Sequence, residues 1–226
     1  MAGVLEILDG SGRPMTILPS GSTPRDVYRL MTSLIVPRPI AFVSSQSREG
    51  VRNLAPFSFF TAVSANPPVV CFSPMIRGAE ASRKDTLVNI EATGEFVLNI
   101  VSQEIARQMN ACSEEVPPEV DEFTLSGLTP VPSETVAPPR VLESKACMEC
   151  RLLQVVNVSP LPLGGSLVLG EVLLFHIDDR LFEDGRLDPG ALHPIGRMGG
   201  STYVRTTDTF EMPRPLSGER GMKRRE

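Results

Sequence analysis

The tightest constraint on how this chain can fold is the run Asn53-Leu54-Ala55-Pro56-Phe57-Ser58-Phe59-Phe60. It is β-prone, yet it carries a proline and small polar residues. Proline has no N–H to give to a ladder, so it sits poorly in a central strand. The run therefore suits an edge, where main-chain N–H and C=O groups stay free to meet something other than a neighbouring strand. Its aromatics add a second condition. Phe57, Phe59 and Phe60 cannot all face one way at a period of two, so at least one lies outward beside those free groups. The competing interpretation is plain alternation of the phenylalanines into a core, with Asn53 in a turn.

The rest of the chain is punctuated in the same manner. Thr23 is placed to cap a short helix over Arg25–Leu34, with Pro24 in its first position. Pro37-Arg38-Pro39 stops it and Ile40–Ser45 is a strand; Arg48-Glu49-Gly50 turns the chain, and Asn53–Ser64 returns as a single strand. Beyond Asn66-Pro67-Pro68, a buried strand covers Val69–Ser73, a helix Thr86–Glu91 and a strand Glu95–Val101, introduced by Gly94. Glu104–Met109 is expected to be helical. Residues 113–146 are rich in Pro and Glu with weak periodicity, and a loop of that length is a lid, an interface arm or a disordered segment, with at most short helices. Two long strands follow, Ala146–Val158 and Gly165–Asp178, on either side of Pro160-Leu161-Pro162. Arg180–Phe182 is a short strand or turn, and Ser201–Asp208 the last strand. Mostly strands with a few short helices between them fit a closed antiparallel barrel better than a βαβ sheet. One domain is expected over 25–210, behind an extended lead-in over 1–24 and before a charged, disordered tail over 211–226.

A chain of 226 residues can bury such a core without disulfide or metal staples. No apolar run is long enough to span a bilayer, and Glu6 and Asp9 stand where a secretory signal needs a basic start, so a soluble cytoplasmic protein is expected. A formal net charge of −5 argues against a nucleic-acid surface, and the lone basic cluster, Lys223-Arg224-Arg225 beside Glu219 and Glu226, is expected to be a solvated end. Cys147 and Cys150 form a CxxC, but in a strand positions i and i+3 face opposite ways, and no second CxxC or His pair completes a zinc site. The expectation is buried structural thiols. The two histidines, His176 and His193, are too few for a His-rich metal site and are expected to be structural or on the surface. GxGxxG after the first strand, GxxxxGK[ST] and GxSxG are all missing, which removes the dinucleotide fold, the P-loop and the nucleophile elbow.

What chemistry the chain does carry begins at Ser82-Arg83-Lys84-Asp85-Thr86. Free N–H groups and the positive dipole end at a helix start attract anions, and Ser82, Arg83, Lys84 and Thr86 add hydroxyls and cations. Taken alone, an ordinary N-cap at Ser82 or Asp85 with solvated charges is the simpler interpretation. Together with the free edge at Asn53–Ser58 and an outward aromatic, the segment points to a flat, hydrogen-bonding ring with a phosphate tail, and FMN is the leading candidate.

Ordered motifs add a resemblance. Pro37-Arg38-Pro39-Ile40-Ala41-Phe42-Val43-Ser44, the Asn53–Phe60 run, Ala65-Asn66-Pro67-Pro68, Lys84-Asp85-Thr86-Leu87-Val88-Asn89-Ile90, Gly94-Glu95-Phe96-Val97-Leu98-Asn99 and Pro194-Ile195-Gly196-Arg197-Met198-Gly199-Gly200-Ser201-Thr202-Tyr203 resemble the flavin reductase-like FMN-binding family, including its flavoredoxin and flavoprotein-oxygenase-associated members, over about residues 30–210. The resemblance implies a mostly β, six-stranded antiparallel split barrel that forms a homodimer with FMN near the interface. It implies that the main chain of Asn53, Leu54, Ala55, Pro56, Phe57 and Ser58 meets the isoalloxazine edge, and that Arg83, Lys84 and Thr86 lie at the ribityl phosphate. It makes Arg197 and Tyr203 candidates to close the site, from the same subunit or from its partner, with Ser73 and Arg77 as weaker candidates. The implied activity is NAD(P)H-dependent flavin reduction, hydride passing from nicotinamide to flavin N5 with no acid–base triad needed. The alternatives are a flavoredoxin-like electron carrier with tightly bound FMN, or an FMN-binding protein without turnover of its own. A flavin-dependent oxygenase or a protein electron acceptor is the expected further partner.

Overall fold

The structure, a computed structural model, describes residues 16–77 and 82–214. A single 3₁₀ turn, Pro19–Gly21, leads into helix α1 (Pro24–Leu34). The Thr23 hydroxyl accepts the Asp26 N–H at 3.2 Å and Pro24 opens the helix, as the sequence predicts. A hairpin of β1 (Ala41–Gln46) and β2 (Arg52–Phe57) follows, then a second of β3 (Phe60–Ala65) and β4 (Pro68–Phe72). Helix α2 (Asp85–Thr93) ends on Gly94, whose φ of 76° is open to glycine at little cost, and β5 (Glu95–Ile100) starts there. Helix α3 (Ala106–Ala111) follows, and the excursion after it carries α4 (Glu122–Ser126) and the two-residue strands β6 (Pro130–Val131) and β7 (Arg140–Val141). Two twelve-residue strands, β8 (Ala146–Asn157) and β9 (Ser166–Ile177), come next. The chain closes with β10 (Phe182–Glu183), β11 (Arg186–Leu187), α5 (Pro189–Leu192), β12 (Ile195–Arg197) and β13 (Tyr203–Arg205).

Seven strands form one antiparallel sheet in the order β2-β1-β5-β8-β9-β4-β3, one more than the six expected. The sheet curls on itself as a split barrel. Phe57 on β2 and Phe72 on β4 stand near opposite ends of that order, yet their rings lie 5.1 Å apart across the interior. Phe72 then meets Phe96 of β5 at 5.5 Å. Leu87 and Ile90 of α2 join the same core.

Three expectations need correction. Asn53–Ser64 is not one strand: it bends at Ser58-Phe59, so that β2 and β3 run to opposite edges of the sheet. The bend is held where the Ser73 N–H reaches the Phe59 carbonyl at 2.9 Å. The last strand is short and pairs only with β12, outside the barrel sheet. The excursion is no loose lid. Its residues Phe123, Leu128 and Val141, with Met109 and Cys112 just before it, form a second core with Phe42 and Leu54 on the outer face of β1 and β2. Barrel side chains satisfy its backbone, as buried loop amides require. Asn99 accepts from Val141 N at 2.9 Å, Glu95 from Ala137 N at 2.8 Å, and Glu149 from Glu134 N at 2.7 Å and Thr135 N at 2.6 Å. The basic cluster at 223–225 and most of the expected lead-in and tail lie outside the described residues.

Candidate functional site

In an antiparallel ladder the N–H and C=O of one residue point the same way, and successive residues alternate. On β2 this alternation is fixed by Leu54, whose N–H points away from β1 and reaches the Glu122 carboxylate at 3.0 Å. The outward set is then Leu54, Pro56 and Ser58, whereas Asn53, Ala55 and Phe57 spend their main chain on Ser45, Val43 and Ala41 of β1. Pro56 falls on an outward position, so its missing N–H costs the sheet nothing. That is why a proline survives in this strand. Six candidate residues thus divide into three that offer main-chain groups at the edge and three that hold the strand in place.

Asn53 holds more than its own strand. Its side-chain oxygen accepts from Thr86 Oγ1 at 2.7 Å and Ser45 Oγ at 3.2 Å, and its amide donates to Glu122 at 2.9 Å. Thr86 is buried, so its hydroxyl is committed to this link between β2 and the start of α2. Glu122 was not among the residues singled out from the sequence. It opens a short helix inside the Glu-rich excursion, and Asp121 beside it, capping that helix, was the only local signal. Burial raises its pKa, and the hydrogen bonds from Asn53 and Leu54 offset part of that cost.

At the start of α2, Arg83 turns back along the helix to Glu91, and Lys84 donates to Glu115 at 3.0 Å. Arg77, a minor candidate from sequence, stands at the same place. It binds Asp85 at 2.7 Å and the Arg83 carbonyl at 3.3 Å, while its Nε is buried with no hydrogen-bond partner among the described residues. Buried donors are rarely left so.

The Ser58 end of β2 opens on a cavity of about 530 Å³ between α1, α3 and the β12–β13 hairpin. Arg197 and Tyr203 are cross-strand partners there: the guanidinium donates to the Tyr203 hydroxyl and, at 2.5 Å, to the Gly200 carbonyl, and lies 4.5 Å from the ring centre. Tyr203 donates on to Asn110 at 3.3 Å. The floor is Arg38, only 5% exposed. It ties three segments together, donating to the Thr32 and Ile35 carbonyls at 2.6 and 2.7 Å, to Met198 O at 3.0 Å and to Ser58 Oγ at 3.3 Å. Burial pulls its pKa below the ordinary arginine value. On the other side of α1 a second, more apolar cavity of about 380 Å³ is walled by Met31, Phe59, Met75 and Leu163. Phe59 is therefore the outward aromatic, 5.9 Å beneath the Arg38 guanidinium. Ser73 lines this second cavity and not the first.

The two thiols of the CxxC lie apart from this edge. Cys147 and Cys150 face opposite sides of β8, in separate cores, and burial pushes Cys147 up to about 11 and Cys150 higher still. His176 contacts Glu149 at 2.6 Å and His193 contacts Glu104 at 3.1 Å; among the described residues no group of His, Cys, Asp and Glu is arranged to hold a metal.

A family model described as flavin reductase like domain matches residues 31–195. Nitrilotriacetate monooxygenase component B from Bacillus cereus superposes with a TM-score of 0.84 at 37% identity, covering 89% of this chain and 100% of that one. The 2-nitrobenzoate 2-nitroreductase NbaA from Pseudomonas fluorescens superposes with a TM-score of 0.80 at 32% identity, covering 90% and 98%. The flavoredoxin of Desulfovibrio vulgaris (Miyazaki F), at 22% identity, TM-score 0.67 and coverage of 81% and 93%, shares the fold.

Proposed function

This chain belongs to the flavin reductase like domain family, and from that premise we propose that it is an FMN-binding oxidoreductase that takes its electrons from NAD(P)H. The observation that carries the proposal is the β2 edge, with outward main-chain groups along it, the start of α2 at its Asn53 end and the Arg38–Arg197–Tyr203 cavity at its Ser58 end. The strand between them runs about 17 Å at some 3.3 Å per residue, which leaves room for a ring at one end and a phosphate at the other.

The residues present fit such a group. The buried Nε of Arg77, which has no hydrogen bond among the described residues and meets the Glu115 carboxylate only at 3.7 Å, is the kind of donor a closer anion would satisfy, and the first amides of α2 and Lys84 stand beside it. Lys84 would share or leave Glu115 to bind phosphate, whereas Arg83 is held by Glu91 and Thr86 acts through Asn53. The Leu54 and Pro56 carbonyls and the Ser58 segment would hold the polar rim of the ring, with Glu122 and Asn53 fixing the strand that presents them. Arg197 and Tyr203 would cover it, and a second subunit in a homodimer would complete the enclosure. When bound, FMN supplies the hydride acceptor and electron store that the side chains lack. The protein's part is orientation and exclusion of water, and none of the groups described has to move a proton in the transfer from nicotinamide.

The test is a visible spectrum of the purified protein, followed by addition of NADH and NADPH under argon. Flavin absorbance that bleaches with either nucleotide supports the reductase. Bleaching only by a reduced protein donor would assign the electron-carrier role instead, and a protein that takes up no flavin overturns the proposal. Because a charge-assisted hydrogen bond is worth about 1.5–3 kcal/mol, Lys84→Ala should weaken FMN binding about 10-fold or more and leave riboflavin binding nearly unchanged. Equal losses for both ligands would put the phosphate elsewhere.

A further inference from the structure

We propose that the cavity between α1, the end of β2 and the β12–β13 hairpin binds a small aromatic acid, a carboxylate on a flat apolar body, as the second ligand beside the flavin. The proposal rests on the flavin assignment above for the neighbouring β2 edge. Its own support is a charge pattern that the protein leaves unbalanced.

Four arginines line this cavity, Arg25, Arg29, Arg38 and Arg197, and no Asp or Glu does among the described residues. Arg38 is buried, and each of its hydrogen-bond partners is neutral: three main-chain carbonyls and the Ser58 hydroxyl. Arg197 is likewise spent on a tyrosine hydroxyl and a carbonyl. Burying a cation without an anion is costly, and carbonyl dipoles offset only part of that cost.

Helix α1 makes the imbalance worse. Arg25 and Arg29 are four residues apart on one face, where like charges destabilise a helix. Arg25 also stands in the first turn, against the positive end of the dipole. The single carboxylate that meets either of them among the described residues is Asp26, 3.5 Å from an Arg29 that is mostly exposed. Local helix physics disfavours this arrangement, and an anion in the cavity would make it favourable.

The walls select the rest of the ligand. Tyr28, Ile40, Pro56, Met109 and Tyr203 give flat and apolar surface, and Asn110 and Ser113 give a polar margin. The cavity of about 530 Å³ would be shared, the flavin ring taking the side along Pro56 and Ser58 and the acid the side along Arg25 and Arg29. A guanidinium fork matches a carboxylate with two parallel hydrogen bonds, and arginine planes stack on aromatic rings. An inorganic anion would satisfy the charge and leave the walls empty.

The probe is benzoate, titrated calorimetrically into full-length protein with its flavin bound, alongside benzamide and inorganic phosphate. Benzoate should bind, and benzamide and phosphate should each bind about 10-fold or more weakly, the loss expected when a paired charge or an apolar body is removed. The Arg25→Gln/Arg29→Gln variant, changed only at exposed positions, should lose benzoate affinity about 10-fold at unaltered flavin absorbance, and Arg25→Lys/Arg29→Lys should recover part of it. Benzamide binding as tightly as benzoate, phosphate doing so, or no loss in the glutamine variant would each overturn the proposal. So would release of flavin in proportion to benzoate bound, which would make this the cofactor's own anion site. A protein that never takes up flavin yet binds benzoate with the same preferences would overturn the flavin assignment and leave the aromatic-acid site standing.

Discussion

Glu122 and Glu149 are both buried carboxylates, and their surroundings act on them in opposite directions. For Glu122, burial outweighs the donors from Asn53 and Leu54 and the pKa rises. For Glu149, burial again raises it, but the Thr135 hydroxyl, the Glu134 amide, the His176 ring and the Thr135 amide together hold the carboxyl at about 2, against an ordinary value of 4.5. A depressed folded-state pKa favours the folded state above the ordinary value, and that contribution is lost as pH falls from about 4.5 to about 2. Glu149→Gln should therefore be less stable at neutral pH and show a shallower acid limb over that window, measured as urea midpoints from pH 7 downward. Glu122→Ala leaves two donors without their acceptor, and at about 1–3 kcal/mol for each it should cost about 2–6 kcal/mol in the same assay. The thiols test burial in a different way. Cys112 and Cys147, both pushed up to about 11, and Cys150, higher still, should resist alkylation at pH 8 until the protein unfolds. Cys71, half-buried, should be the first labelled. Cys147→Ser/Cys150→Ser should keep its flavin and its turnover, because neither sulfur reaches the β2 edge; loss of nucleotide oxidation with flavin still bound would reveal a dithiol relay.

At the scale of elements, α1 is a partition. Thr32 is the one residue it buries fully; Arg25 and Arg29 face the cationic cavity, Val27 and Met31 face the apolar one, and Tyr28 borders both. A helix so thinly packed depends on its ends, with the Thr23 cap at one and Arg38 on the Thr32 carbonyl at the other. Thr23→Ala should cost about 1 kcal/mol locally, read as faster hydrogen exchange in α1 with the barrel amides unchanged. Strand β9 has the contrary problem of too little space. A Cβ on Gly170 would lie 2.3 Å from the Phe96 ring at the centre of the barrel, so Gly170→Ala must displace that ring and should destabilise by about 1–3 kcal/mol in denaturant unfolding. The short strands β6 and β7 pair with each other, and Asn99 and Glu95, on β5, supply acceptors to the excursion around them.

At the scale of the molecule, β3 is an edge strand with five of its six residues exposed, Val63 among them, and Leu153, Leu173 and Phe175 stand out from β8 and β9. Unpaired edges and apolar surface of this kind mark contact surfaces. They support the proposed two-fold dimer, in which a partner completes each flavin enclosure. A ligand that bridges two subunits favours the dimer. Apparent FMN affinity should then fall as the protein is diluted through the dimer dissociation range, followed by sedimentation velocity with and without FMN. A monomer binding FMN as tightly as the dimer would end the shared-site proposal.

The sequence by itself determined the local structure and the family. Thr23-Pro24 marked where α1 starts and Gly94 where β5 begins. Pro56 marked β2 as an edge, and the ordered motifs marked the flavin reductase-like chain, because caps, left-handed turns and missing N–H groups act within a few residues. What only the tertiary structure decided depends on residues far apart in the chain. Ser58-Phe59 became a corner because the sheet had to curl. A Pro- and Glu-rich stretch that reads as a loop became a packed layer because Glu95, Asn99 and Glu149 accept its amides. Thr86 turned inward to Asn53, and Glu122, silent in the sequence, reached the edge of β2. Four arginines from α1, the turn before β1 and β12 came to share one cavity. Hydrophobic burial sets those positions for the chain as a whole, and no short stretch of sequence carries that information.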